Sequence, residues 1–194
     1  STDQSVMRTS LVPGFMTCLK TNLAHGEKDL RLFEWGKVFI HRSQEELPEE
    51  AYSLCALMTG SANPKEWYRD SRPLDFYDLK GAVVSLFNAL RFRNCEFQVA
   101  KTPSWYQSGE SCAIHLSGEA AGSMGRIPKE VLQRFGVDTE SVYLLEINDS
   151  VLLDKITDVK RFEPLPKFPP VLRDISIVVK RTIKSASISE IVKR

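Results

Sequence analysis

Apolar side chains recur along this chain with two periods, and the alternation between them lays out the elements. Residues 10–26 carry Leu11, Phe15, Met16, Leu19 and Leu23 on a 3.6-residue stripe, with Pro13 where a first helical turn tolerates a missing N–H and Gly26 as the stop. The pattern predicts an amphipathic helix packed on a sheet. Residues 30–42 hold Leu30, Leu32, Phe33, Trp35, Val38, Phe39 and Ile40, a β-rich run broken by Gly36 at a bulge or a close approach. A long strand follows from this. Residues 43–50 hold four glutamates and a proline, and a strand-like run returns at 52–60, so the acidic stretch is read as a solvated hairpin loop.

Asp75 and Asp78 open a second helix whose buried face is marked by Phe76, Leu79, Val83, Leu86, Phe87 and Leu90. Strands are expected at 95–101, 112–117 and 120–126, the last two joined by a turn at Ser117-Gly118-Glu119. A brief helix at 128–135, closed by Gly136, precedes a strand at 141–147, and Asn148-Asp149-Ser150 reads as a turn. The short links between strands favour antiparallel pairing.

Four prolines, Pro164, Pro166, Pro169 and Pro170, fall within eight residues and can continue neither helix nor ladder. They divide the chain into an expected domain of residues 1–162 and a second unit of 163–194. In the second, Ile175, Ile177 and Val179 alternate as a strand would, and Ser187-Ile188-Ser189-Glu190 has the form of a capping box opening a helix. The expectation is a fragment of a longer chain whose second domain is cut off shortly after it begins.

Composition narrows the function more by exclusion. The 194 residues are 42% apolar and 26% charged, a globular profile. Twenty-six basic against twenty-five acidic residues give a net charge of +1, which lacks the electrostatic footprint of a protein that grips DNA or RNA phosphates. Cys18, Cys55, Cys95 and Cys112 form no CxxC pair, and three histidines offer no zinc spacing. Reduced thiols and a cytoplasmic location are expected, with no membrane association, since no apolar run approaches the roughly 18 residues of a span.

Candidate chemistry is thin. The glycines between 118 and 125 lie in an expected hairpin, with no Lys-Ser or Lys-Thr after them to make a phosphate loop. Asp70, Asp75 and Asp78 suggest an acidic cluster, yet two of them stand at a helix start, where orphan N–H groups already favour negative charge. His25, His41 and His115 have no nucleophile elbow beside them. Trp67, Tyr68, Trp105 and Tyr106 sit in loops with Pro64, Arg69, Arg72 and Pro103, where their rings would either anchor a partner or roof the core.

Several blocks carry a resemblance. Residues 3–14, Asp-Gln-Ser-Val-Met-Arg-Thr-Ser-Leu-Val-Pro-Gly, then Asn22-Leu23, Leu30-Arg31-Leu32-Phe33-Glu34, Gly36-Lys37-Val38-Phe39, Asp78-Leu79-Lys80-Gly81 and residues 167–175, Lys-Phe-Pro-Pro-Val-Leu-Arg-Asp-Ile, closely resemble the β subunits of bacterial phenylalanyl-tRNA synthetases in the family's own order. The resemblance implies an α+β fold: a class II aminoacyl-tRNA synthetase-like antiparallel sheet flanked by helices, followed by the truncated start of a ferredoxin-like anticodon-binding domain. It implies an α2β2 ligase that attaches phenylalanine to tRNA(Phe) with ATP and magnesium, in which the α subunit does the chemistry and the β core is catalytic-like but inactive.

In active class II cores an arginine on the long strand after the first helix grips the ATP α-phosphate, with a glutamate two residues on. The resemblance puts Ile40 and Arg42 in those places, and residues 142–149, where a second glycine-rich nucleotide element ending in arginine would fall, contain no arginine. Relatives usually show His-Pro-Gly where this chain has Gln107-Ser108-Gly109. The reading is therefore a structural module with no catalytic, cofactor-binding or metal residues of its own, partnered with the α subunit and, through the whole enzyme, with tRNA(Phe). The alternatives are an autonomous ligase of the class II or biotin-ligase type and a free-standing RNA-binding module.

Overall fold

The computed structural model describes residues 5–42, 47–63, 66–68, 70–92, 94–99, 102–156, 167–169, 171–180, 182–183 and 185–192. Contacts divide the chain into two units, Ser1–Asp158 and Val159–Arg194. The expected boundary at 162/163, with Pro164 and Pro166, lies outside the described residues, as do Pro170, Lys101, Arg69, Pro64 and the glutamates at 45 and 46.

The first unit begins with α1 (Val12–Ala24), which has Pro13 in its first turn and ends at His25 and Gly26, the glycine taking φ 87°. Then β1 (Leu30–Ile40) and β2 (Glu49–Thr59) pair antiparallel over their full length, Leu30 opposite Thr59 and Ile40 opposite Glu49. Next comes α2 (Phe76–Ala89), which starts at a reciprocal capping box. Asp75 accepts from the Tyr77 and Asp78 N–H groups while Asp78 accepts from the Asp75 N–H. The two aspartates are thus caps.

The chain continues through β3 (Cys95–Gln98), β4 (Ser111–Leu116), β5 (Glu119–Arg126), α3 (Lys129–Arg134), β6 (Val142–Asn148) and α4 (Asp149–Lys155). The β4–β5 turn places Ser117 and Gly118 at φ 52° and 85°, both left-handed, as a two-residue turn of type I′ requires. The six strands form one antiparallel sheet ordered β1-β2-β6-β5-β4-β3. Antiparallel pairing was legible from the short links, but the insertion of β6 between β2 and β5 was not.

Alternation along the central strands sorts the core into two layers. Cys55 and Leu57 of β2 and Val142 and Leu144 of β6 pack with Leu11, Phe15, Met16 and Leu19 of the α1 region and with Leu132 of α3. Tyr143, Leu145 and Ile147 face the other way, against Leu79, Val83 and Phe87 of α2 and Val151 and Leu152 of α4. Hydroxyls buried within the sheet are satisfied across strands: Ser53 donates to the Ile147 carbonyl and Thr59 to the Ser141 carbonyl.

Four expectations are corrected. The strand expected at 95–101 stops at Gln98. Asn148-Asp149-Ser150 is the start of α4, not a free turn: Asn148 caps the helix by accepting from the Ser150 N–H, so the residues that favour a turn serve as a cap. Residues 174–180 form no ladder with any described residue, because alternation alone does not make a strand without a neighbour to bond it. Helix α5 (Ser185–Val192) begins two residues before Ser187, which leaves the expected capping box inside the helix.

Candidate functional site

The face of the sheet toward α1 carries the even-numbered positions of β1, among them Ile40, the residue the resemblance puts in the place of the phosphate-gripping arginine. Register puts Glu34 opposite Cys55 and Cys55 opposite Glu146, so β1, β2 and β6 contribute a carboxylate, a thiol and a carboxylate in one lateral row. Cys55 is fully buried, and burial foremost, then the charges of Glu146 and Glu34, push its thiol well above the ordinary range. That row holds no activated nucleophile.

Residues 8–11 are fastened to this face. The Phe39 N–H donates to the Arg8 carbonyl at 2.8 Å, and Arg8 Nε donates to the Lys37 carbonyl at 2.7 Å. The Arg8 guanidinium pairs with Glu34 at 2.9 Å. Glu146 accepts from Ser10 Oγ at 2.8 Å and from the Leu11 N–H at 3.1 Å, and Leu11 itself has no exposed surface. Beneath them lies Gly36, where a Cβ would stand 2.6 Å from Arg8 Nη2 and 3.3 Å from a Leu11 methyl. The expected bulge or close approach at Gly36 is a close approach.

Tyr106 belongs to the same layer. It is 5% exposed and packs in the α1-side cluster, with its hydroxyl donating to the Ser123 carbonyl at 3.3 Å. Of the two expected roles for this ring, Tyr106 takes the roof of the core and not the partner anchor: a ring enclosed by the fold has no face to offer. Trp105 is half-exposed beside it, whereas Trp67 is 96% exposed and Tyr68 is open to solvent, their rings edge to face. Gln107 is a link residue whose N–H donates to the Arg126 carbonyl and whose amide reaches Glu110 at 3.2 Å.

Ile40 ends β1, half-open to solvent, and Arg42 lies just beyond, its guanidinium paired with Glu49 at 2.6 Å. The histidines stand on three separate elements, at the end of α1, beyond β1 and on β4. Among the described residues, no group of three or more His, Cys, Asp or Glu side chains is placed to hold a metal ion. The four cysteines are free.

The opposite face of β1 and β2 is partly covered, with Leu54, Ala56 and Met58 packed against the α2-side core, and leaves several aromatic rings open. Phe33 is 81% exposed, Trp35 58% and Tyr52 41%, with Trp35 and Tyr52 in ring contact at 5.4 Å. Between this surface and α2 lies an apolar cavity of about 420 Å³ lined by Phe33, Leu54, Ala56, Met58, Val83 and Leu86. Lys37 stands over the Tyr52 ring and is tied to Glu50 at 2.7 Å. The sequence flagged aromatic pairs in loops and passed over these strand aromatics; the signal was Phe33-Glu34-Trp35, where large apolar rings fall on the alternation opposite to Leu32 and Val38.

The family model for the phenylalanyl tRNA synthetase beta chain CLM domain matches residues 1–148. The chain belongs to that family. It is 35% identical over 186 residues to the phenylalanine–tRNA ligase beta subunit of Geobacter sulfurreducens, covering 96% of this chain and 23% of that one. The beta subunits of Syntrophotalea carbinolica and Dehalococcoides mccartyi are 34% and 33% identical over 192 residues, each covering 99% of this chain and 24% and 23% of theirs. The chain thus spans about a quarter of the length of these relatives.

Among solved structures, the pyrrolysyl tRNA synthetase of Desulfitobacterium hafniense superposes with a TM-score of 0.55 at 18% identity, covering 75% of this chain and 48% of that one. That likeness is one of fold, and it makes the CLM domain's six-stranded sheet and flanking helices a class II synthetase architecture. No helix among the described residues is long and apolar enough to cross a membrane.

Proposed function

We propose that the chain is a non-catalytic structural module of the β subunit of a phenylalanine–tRNA ligase, an α2β2 enzyme that joins phenylalanine to tRNA(Phe) at the expense of ATP. One observation carries this reading: the α1-side face of β1, β2 and β6 is occupied by the protein itself. Leu11, Leu144 and Tyr106 fill it, and the Glu146 carboxylate there would repel a phosphate.

The residues do not fit a nucleotide. Active cores bring a guanidinium to the α-phosphate and stabilise the charge that develops there; Ile40 offers no donor, and Arg42 is engaged with Glu49. ATP and magnesium accordingly belong to the complete enzyme and not to this module.

The exposed aromatic rings on the opposite face of β1 and β2 suit the α subunit as its partner. Exposed Phe33, Trp35 and Tyr52 next to an apolar cavity form the kind of surface that an obligate interface buries. tRNA(Phe) is reached through the whole enzyme, and the near-neutral charge argues against a free-standing RNA-binding module.

The experiment is ATP–pyrophosphate exchange with the purified chain, together with its co-purification with the α subunit. Background exchange and a stable complex are expected. Phenylalanine-dependent exchange by the chain alone would replace this reading with that of an autonomous ligase, and submicromolar tRNA affinity at physiological salt with that of an RNA-binding module.

A further inference from the structure

Residues 8–11 are fastened to the sheet by two carboxylates, Glu34 and Glu146. The row Glu34, Cys55, Glu146 continues onto Ser123 of β5, to whose carbonyl Tyr106 donates. A carboxylate at Glu146 is out of keeping with its neighbours Leu144, Leu145 and Ile147, all of them buried. Placing a charge in such a run is costly unless donors meet it. Two donors do, and both come from the segment just before α1: the Ser10 hydroxyl and the Leu11 N–H. The hydroxyl is itself shared, since Ser10 Oγ also accepts from the Val12 N–H at 3.1 Å.

We propose that Glu146 is the latch of a strap made by residues 8–11, and that the strap, seated on Gly36 and held by Glu146 at one end and Glu34 at the other, closes the vestigial class II site over Cys55. The proposal rests on the non-catalytic reading for the word vestigial, but the latch is a matter of contacts and its test reads thiol protection, so either can fail alone. Glu146 acts as a positioning residue. It touches no substrate; it fixes where Leu11 enters the core, and so the point from which α1 departs. The seat is close-fitting, because a Cβ at 36 would stand against the flexible ends of Arg8 and Glu34 and 3.3 Å from a Leu11 methyl.

Two cysteines supply a reporter and its control. Cys55 is buried in the layer the strap covers, and Cys112 is buried in the opposite layer, under α2. Opening of the strap bares the first without the second, whereas global unfolding bares both. The measurement is the rate of N-ethylmaleimide labelling of the 194-residue chain under native conditions, resolved by peptide mass spectrometry, in the wild type, Glu146→Ala and Ser10→Ala.

Losing an acceptor that is charged should raise Cys55 labelling roughly ten- to a hundredfold, and losing the hydroxyl alone roughly two- to tenfold, with Cys112 unchanged. If Glu146→Ala does not fold, Ser10→Ala still reads the latch. Equal acceleration of Cys55 and Cys112, or no acceleration of Cys55 in a folded variant, would overturn the proposal.

Discussion

Arg72 closes on Asp78 with both arms of its guanidinium, 2.7 Å to one carboxylate oxygen and 2.6 Å to the other, while the same carboxylate accepts the Asp75 N–H at 2.8 Å. The clasp staples the loop before α2 to the first turn of that helix, where the helix dipole adds to the attraction. Arg72, above all, holds the Asp78 carboxyl below the ordinary carboxylate range.

A lowered folded-state pKa means stability that is complete above the unfolded value, about 3.9, and is lost as pH falls through the folded one. Asp78→Asn is therefore expected to cost about 1 kcal/mol at pH 7, discounted because Arg72 is half exposed. Urea unfolding at a series of pH values checks it: the difference from wild type should be flat from pH 7 to 5 and should shrink below about pH 4.

Two glycines of the sheet separate a soft contact from a hard one. A Cβ at Gly36 meets the ends of the flexible Arg8 and Glu34 side chains, which can swing aside, whereas a Cβ at Gly122 runs into the backbone carbonyl of Glu146 and lies 2.8 Å from the Ile147 Cα. Gly36→Ala is expected to cost about 1 kcal/mol and Gly122→Ala about 3 kcal/mol or more, because the second must push β5 away from β6. Thermal unfolding of the two variants should rank them in that order.

Local signals account for what the sequence disclosed. The stripe from Leu11 to Leu23, the Asp75 cap and the Ser117-Gly118 turn all depend on neighbours within a few residues, and each appears in the structure within about two residues of its expected bounds. The latch did not show itself because Ser10 and Glu146 are 136 residues apart and a lone glutamate in an apolar run does not name its donors. Tyr106 could not be told from Trp67 by its surroundings in sequence; burial separates them, and Tyr106 is buried in a cluster with residues as distant in sequence as Leu11, Cys55 and Leu144. The second unit misled the period argument, since Ile175 and Ile177 alternate with no strand to pair with among the described residues.

If the aromatic face of β1 and β2 meets the α subunit, its side chains contribute to association and little to folding. Phe33→Ser combined with Tyr52→Ser should lower the free energy of unfolding by no more than about 1 kcal/mol, since both rings are solvent-facing in the chain alone and the loss is mainly the Trp35–Tyr52 ring contact. Retention of the α subunit on the tagged chain should fall at least tenfold, as expected when rings central to an interface are removed. Retention unchanged by the double substitution would move the interface elsewhere on the module.

Tyr106 gives the converse case. Its ring is enclosed in the α1-side layer, so Tyr106→Ala removes buried volume and is expected to cost about 3–5 kcal/mol, the scale of an aromatic deleted from a core. Tyr106→Phe keeps the volume and forfeits one long hydrogen bond to the Ser123 carbonyl, which should cost about 1 kcal/mol. Unfolding measurements on both variants separate packing from hydrogen bonding. A partner-anchoring ring would give the opposite pattern, with α-subunit retention lost and stability kept. Exposed Trp67 should behave that way if it anchors anything, because Trp67→Ser removes a ring that the fold does not enclose.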